Sequence, residues 1–246
     1  MSSPPSRPIA LLIALTLAVG GLVVSTITGL LGTLIGALLG AGADPASAVP
    51  VLVALLLVTS EAGFVAVGYA FRRSDDGADI VVDWLAEHSP SAREAALIVG
   101  ATAALVVSNR LGFWLGSLIG IDPVTAVSAP DELTVAVLVF LIPVMLFAVG
   151  PAEEYLFRGV IQGYLESSFS AAGALGWSAT LFALVHLPNL VADPSAGVVS
   201  VPLWLLIGVV LGWLYQRTGA LLVPVAVHGL YNVAVITLLF AELGIV

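Results

Sequence analysis

The chain has 246 residues, a mean hydropathy of +1.13 and only 9% charged side chains, which excludes an ordinary soluble globular domain. Its seven basic residues are all arginine against 16 acids, for a net charge of −9, so the basic surface of a nucleic-acid-binding protein is absent. The lack of cysteine excludes disulfides, thiolate chemistry and cysteine-ligated zinc.

Apolar runs of about 18 or more residues recur, continuous rather than alternating, and predict an all-α, polytopic transmembrane helical bundle of about seven spans. The first run covers about 9–40. It is about twice the 7–15 apolar residues of a cleavable signal and reads as an uncleaved span, either tilted or broken near Gly20-Gly21. The second covers about 49–71 and ends at Arg72-Arg73. In the polar connection from Ser74 to Ser91, Ile80, Val81, Trp84 and Leu85 fall at helical spacing and predict a short interfacial helix. His88, in the same connection, reads as solvated and silent. The third span covers about 94–120, followed by a loop with Asp122, Asp131 and Glu132. The fourth runs from about Leu133 to Leu165, with a kink expected at Pro143 or Pro151. The last three cover about 174–190, 200–216 and 220–241. Residues 1–125 thus form N-terminal spans with an acidic cytoplasmic loop, and 126–246 a second, motif-bearing transmembrane domain.

If seven spans alternate, Arg7, Arg72, Arg73, Arg93 and Arg217 share one side, while the loops around Asp44, Asp122 and Asp193 carry no arginine. The positive-inside rule then puts the N-terminus in the cytoplasm and the C-terminus outside, in a multi-pass protein of the cell membrane. At 1.5 Å per residue, Glu153 and His186 lie about 18 Å, and His228 about 12 Å, from their cytoplasmic span ends. A cavity opening to the cytoplasm or laterally between spans follows from that depth.

Ionisable groups at membrane depth read as functional. Glu153 and Glu154 are adjacent in Pro151-Ala152-Glu153-Glu154-Tyr155-Leu156-Phe157-Arg158. Glu154 and Arg158, four apart, share a helix face and are expected to pair, while Glu153 points about 100° away. One carboxylate is thereby neutralised and its neighbour left for another task, such as general-base chemistry on water. Phe182 and His186 are also four apart, as are His228 and Asn232. A His/Asn pair suits a developing oxyanion. Phe182, Tyr155, Tyr164 and Trp213 read as packing or interfacial anchors, and Glu61 and Arg110, in the second and third spans, as a structural ion pair, with substrate gating as the lesser alternative.

Glu153-Glu154-x-x-x-Arg158, Phe182-x-x-x-His186 and His228-x-x-x-Asn232, in this order, resemble the CPBP family of intramembrane endopeptidases, also called Abi, named for CAAX proteases and bacteriocin-processing enzymes and related to the type II CAAX prenyl endopeptidases. The resemblance covers about 133–241. It implies an active site inside the membrane in which Glu153 acts as general base on water with His186 assisting. It further implies that His228 and Asn232 stabilise the oxyanion, while Glu154, Arg158 and Phe182 support the geometry. The implied partners are the lipid bilayer and a membrane-associated or lipidated peptide or protein, prenylated in the CAAX members. No cofactor is expected. If a metal such as zinc is bound, its ligands are Glu153, His186 and His228, although the His-Glu-x-x-His sign of a zinc protease is absent. Two readings from other classes stand beside this one: a small proton-coupled transporter or channel, against which the lack of an internal repeat counts, and a non-catalytic membrane scaffold.

Overall fold

The computed structural model describes residues 5–40, 45–85, 91–121 and 134–246. Seven helices carry the fold: α1 (Arg7–Leu39), α2 (Pro45–Arg72), α3 (Ala92–Leu118), α4 (Val135–Leu165), α5 (Ala171–Val185), α6 (Gly197–Thr218) and α7 (Leu222–Glu242). The described residues contain no strand. Six of the helices are long and apolar enough to cross a membrane. The exception is α5, which at 15 residues reaches about 22 Å against a hydrocarbon core of about 30 Å. Seven apolar helices were expected and seven are present, but the fifth ends before His186 instead of running on to 190. Asp122, Asp131, Glu132 and His88 lie outside the described residues.

Local sequence sets the helix ends. Ser91 caps α3 in a reciprocal box: its Oγ accepts from the Glu94 N–H at 3.2 Å, and its own N–H donates to Glu94 Oε2 at 2.7 Å. Thr134 and Ser170 cap α4 and α5 in the same sense, accepting from the N–H groups of Val137 and Gly173. Gly219, at φ +67°, ends α6 in the left-handed conformation that a side chain would resist.

α1 is one unbroken helix through Gly20-Gly21. Its small residues at four-residue spacing, Gly21, Ser25 and Gly29, are buried and let α2 approach closely. A Cβ on Gly63 of α2 would stand 2.5 Å from the Ser25 backbone. α4 is central: its first half packs on α2 and α7, its second on α1, α2, α5 and α6. Its ladder widens to π-helical turns at Met145–Val149, just after Pro143, and again at Tyr155–Gln162, just after the glutamates. The proline removes one ladder donor, which accounts for the first widening.

The expected interfacial helix is absent. Among the described residues the segment 74–85 forms turns, bends and chain without regular structure, docked on the bundle. Ile80 is buried while Val81 is 70% and Leu85 63% exposed, so the four apolar residues form no common face. Ile80 and Val82 both pack against α4, at Gly163 and Gly159. Leu221 and Leu222, at the start of α7, donate to the carbonyls of Asp83 and Trp84 at 2.8 and 3.0 Å. Glycine grooves on α4 and free donors at a helix start thus outcompete local helical spacing.

Candidate active site

Glu153 and Glu154 stand at mid-length of α4, where both are buried although charged. Their surroundings differ completely. Glu154 is fully enclosed: its Oε1 accepts from Arg158 Nη1 at 2.8 Å and faces His228 Nδ1 at 2.9 Å. Arg158, also fully buried, donates from Nη2 to the Gly208 carbonyl on α6 at 3.2 Å, and its guanidinium lies 4.6 Å from the centre of the Phe182 ring. The expected Glu154–Arg158 pair is therefore present, and it reaches three further helices.

Glu153 projects into a cavity of about 370 Å³ walled by α2 to α7. Its Oε2 has no hydrogen-bond partner, yet stands 3.9 Å from His186 Nε2 and 3.9 Å from His228 Nε2. His186 sits at the C-terminal end of α5, His228 one and a half turns into α7. Three helices deliver three groups to one point, well inside the 10 Å or so that a shared water tolerates. Asn232 lines the same cavity one turn beyond His228. Phe182 is 2% exposed and fills the space between the histidines, with ring centres 4.7 Å from His186 and 5.9 Å from His228. Every residue picked out from the three motifs belongs to this one cluster.

Hydrogen-bond partners assign the histidine tautomers. The His228 Nδ1 faces a carboxylate oxygen and the His186 Nδ1 the Phe182 carbonyl at 2.7 Å, so both Nδ1 atoms donate. In the neutral rings both Nε2 atoms then present lone pairs toward the Glu153 side. A zinc-binding histidine has the same second bond to a carboxylate or carbonyl. The spacing is wider than zinc requires: donors on one tetrahedral ion at about 2.0–2.1 Å lie roughly 3.3 Å apart, not 3.9 Å. Among the described residues no group of three or more His, Asp or Glu side chains is arranged to hold a metal ion.

Spacing in the chain did not disclose several members of the site. The Trp204 ring of α6 lies 5.4 Å from that of His186. Asn109 of α3 donates to the Tyr231 hydroxyl at 3.1 Å, tying α3 to α7 beside the glutamate–histidine cluster. Glu61 is buried in the same cavity wall, and its expected partner is elsewhere: Arg110 pairs with Glu242 at the end of α7. Helix α3 packs on α6 and α7, which turns Arg110 toward Glu242 and away from α2.

The lining runs from Glu153 toward Arg110, Phe113, Leu239 and Glu242. These lie near the ends of α3 and α7 remote from Arg93 and Arg217. The cavity thus extends away from the arginine-bearing face, where an opening toward that face or laterally between spans was expected.

Residues 135–234 match the family model described as Rce1-like, type II CAAX prenyl endopeptidase. The matched stretch holds all of Glu153, Glu154, Arg158, Phe182, His186, His228 and Asn232. No curated protein and no solved structure matches the chain.

Proposed function

We propose that this multi-pass membrane protein, Rce1-like over residues 135–234, is an intramembrane endopeptidase that uses Glu153 to activate water. The observation that carries the proposal is the unpartnered Glu153 oxygen held equidistant from two histidine Nε2 atoms. A gap of 3.9 Å is too long for direct hydrogen bonds and suits groups bridged by a water.

In this reading Glu153 takes a proton from water, with His186 Nε2 accepting the second hydrogen bond and fixing the oxygen lone pair. Water attacks the scissile carbonyl carbon. The tetrahedral oxyanion is held by the Asn232 side-chain amide and by His228, which takes a proton from solvent at Nε2 before the attack, donates it as a hydrogen bond and keeps it through the cycle. Glu154 balances that imidazolium charge across the 2.9 Å contact, and Arg158 keeps Glu154 in place. Glu153 then returns its proton to the leaving amine as the C–N bond breaks. The route uses no metal.

The substrate is a membrane-associated peptide or protein, with CAAX-type lipidated chains the first class to test. A panel of fluorogenic peptides, prenylated and unprenylated, is incubated with detergent-purified protein, with Glu153→Ala, and with a chelator. Cleavage that the substitution abolishes and the chelator spares supports the proposal. Cleavage that the chelator abolishes moves the chemistry to a metal held by Glu153, His186 and His228. Cleavage by the Glu153→Ala protein overturns the mechanism.

The arginine-bearing face is proposed as cytoplasmic, which directs the cavity toward the opposite face. The cysteine-free chain makes this testable: Ser167→Cys, beside Leu165, and Ser195→Cys, before α6, lie at opposite ends of the bundle. In intact cells an impermeant maleimide should label Ser195→Cys alone. Labelling of Ser167→Cys alone reverses the orientation and opens the cavity to the cytoplasm.

A further inference from the structure

Asn109 and Tyr231 meet in the cavity wall, and the mechanism uses neither. Both are buried, at 7% exposure each. Asn109 Nδ2 donates to the Tyr231 hydroxyl at 3.1 Å, while Asn109 Oδ1 has no hydrogen-bond partner. A phenol that accepts one bond still has its own proton to give, and among the described residues nothing accepts it. The pair therefore holds one idle acceptor, Oδ1, and one idle donor, the Tyr231 O–H. Turning the amide end for end exchanges the atoms but keeps one of each: Tyr231 then donates to Oδ1, its own oxygen is left as acceptor and the Asn109 NH2 as donor. Buried polar groups left unpaired are costly, so a donor and an acceptor idle side by side point to a ligand that takes both.

The place of the pair along the bundle says which part of a ligand would reach it. Tyr231 follows His228 by three residues on α7, about 4.5 Å along the helix axis. An extended peptide advances about 3.3–3.6 Å per residue, so the pair stands one or two residues from a bond held at the glutamate–histidine cluster. Beyond it the wall is apolar, with Phe113, Val235, Ile236 and Leu239. In an extended chain the N–H and C=O of one residue point to the same side, as they do across an antiparallel ladder. An acceptor and a donor set side by side match that residue's backbone and ask nothing of its side chain.

We propose that the Asn109–Tyr231 pair is a backbone-docking subsite: it takes the N–H and the C=O of one residue of an extended peptide, one or two residues from the scissile bond. The subsite rests on the endopeptidase reading for its place in a reaction, whereas the match of donor and acceptor does not depend on it. Asn109 lies on α3, outside the Rce1-like stretch 135–234, so the subsite gives an N-terminal helix a part in holding substrate. Docking through the main chain fixes the distance of the strand from Glu153, which orients the carbonyl for attack.

The test uses a fluorogenic octapeptide of alanine, valine and leucine, and analogues in which one backbone amide at a time is replaced by an ester, which removes that N–H. Binding is measured to the full-length purified Glu153→Gln protein, which lacks the base, and cleavage is followed with the wild type. The expected result is an ester position that binds about three- to tenfold more weakly than the parent peptide. Asn109→Leu combined with Tyr231→Phe removes both partners together, leaves no orphaned polar atom and should keep the melting midpoint to within a few degrees. With that double substitution the same ester and the parent should bind equally. Equal binding of the parent and every ester while the pair is intact, a penalty that survives the double substitution, or no binding of any peptide overturns the subsite. A penalty erased by the double substitution, without cleavage of any peptide by the wild type, leaves the subsite standing and removes the endopeptidase reading. Wild-type cleavage indifferent to every ester outside the scissile bond does the reverse.

Discussion

Helix α1 and the second half of α4 are opposites in what they hide. α1 is the longer and more uniformly apolar, yet it turns Leu12, Leu30 and Leu38 outward, each more than 60% exposed, and buries a stripe of Ala, Gly and Ser. α4 buries Glu154, Arg158 and Gln162 completely. In lipid, apolar surface gains nothing by leaving the surroundings, so packing falls to small residues that allow close approach. Charges must instead find partners inside the bundle, because hydrocarbon offers none. The difference teaches that hydropathy places a segment in the membrane, while burial within the bundle is governed by residue size and by polar pairing.

Glu153→Gln probes the polar half with the largest expected effect. Loss of the base should lower turnover by about 10²–10⁴-fold. The thermal midpoint should hardly move, since the replaced oxygen has no hydrogen-bond partner to lose. Undiminished peptide cleavage would end the assignment of Glu153 as base. Arg158→Met next removes one member of a buried pair and should destabilise the protein by about 3–5 kcal/mol, read from thermal unfolding in detergent. A mild effect would mean that Glu154 finds another partner, and the contrast between the two glutamates would shrink.

Gly63→Leu applies the same question to the apolar half. The new side chain must displace the Ser25 backbone, at an expected loss of about 1–3 kcal/mol read from thermal unfolding. Stability unchanged by this substitution would show that close α1–α2 packing is not what holds the pair. The smallest effect is expected at the rim. Glu242→Ala opens a half-exposed pair and should change unfolding free energy by only about 0–1 kcal/mol.

Much of the candidate cluster was legible because it depends on spacing within single helices. Glu154 and Arg158 pair as their four-residue separation demands, and Phe182 and His186 lie together for the same reason. Similar depths along three spans correctly brought Glu153, His186 and His228 to one level. Errors arose where the partner lies on another element. Glu61 and Arg110 were paired for being costly charges in neighbouring spans, but the rotation of α3 about its axis gives Arg110 to Glu242. Residues 80–85 have helical spacing, and yet glycine grooves on α4 and the start of α7 hold them in a non-helical course.

The sequence by itself determined that the chain crosses a membrane several times, roughly where its long apolar helices run, and which ionisable residues they carry. Those properties follow from local hydropathy and from the helical repeat. Tertiary structure alone decided that Glu153 stands 3.9 Å from both histidines while Glu154 is sealed behind Arg158, and that one cavity joins this cluster to Arg110. Such relations depend on the rotation and tilt of each helix against its neighbours, which glycine contacts and buried ion pairs set across the bundle and no single segment encodes.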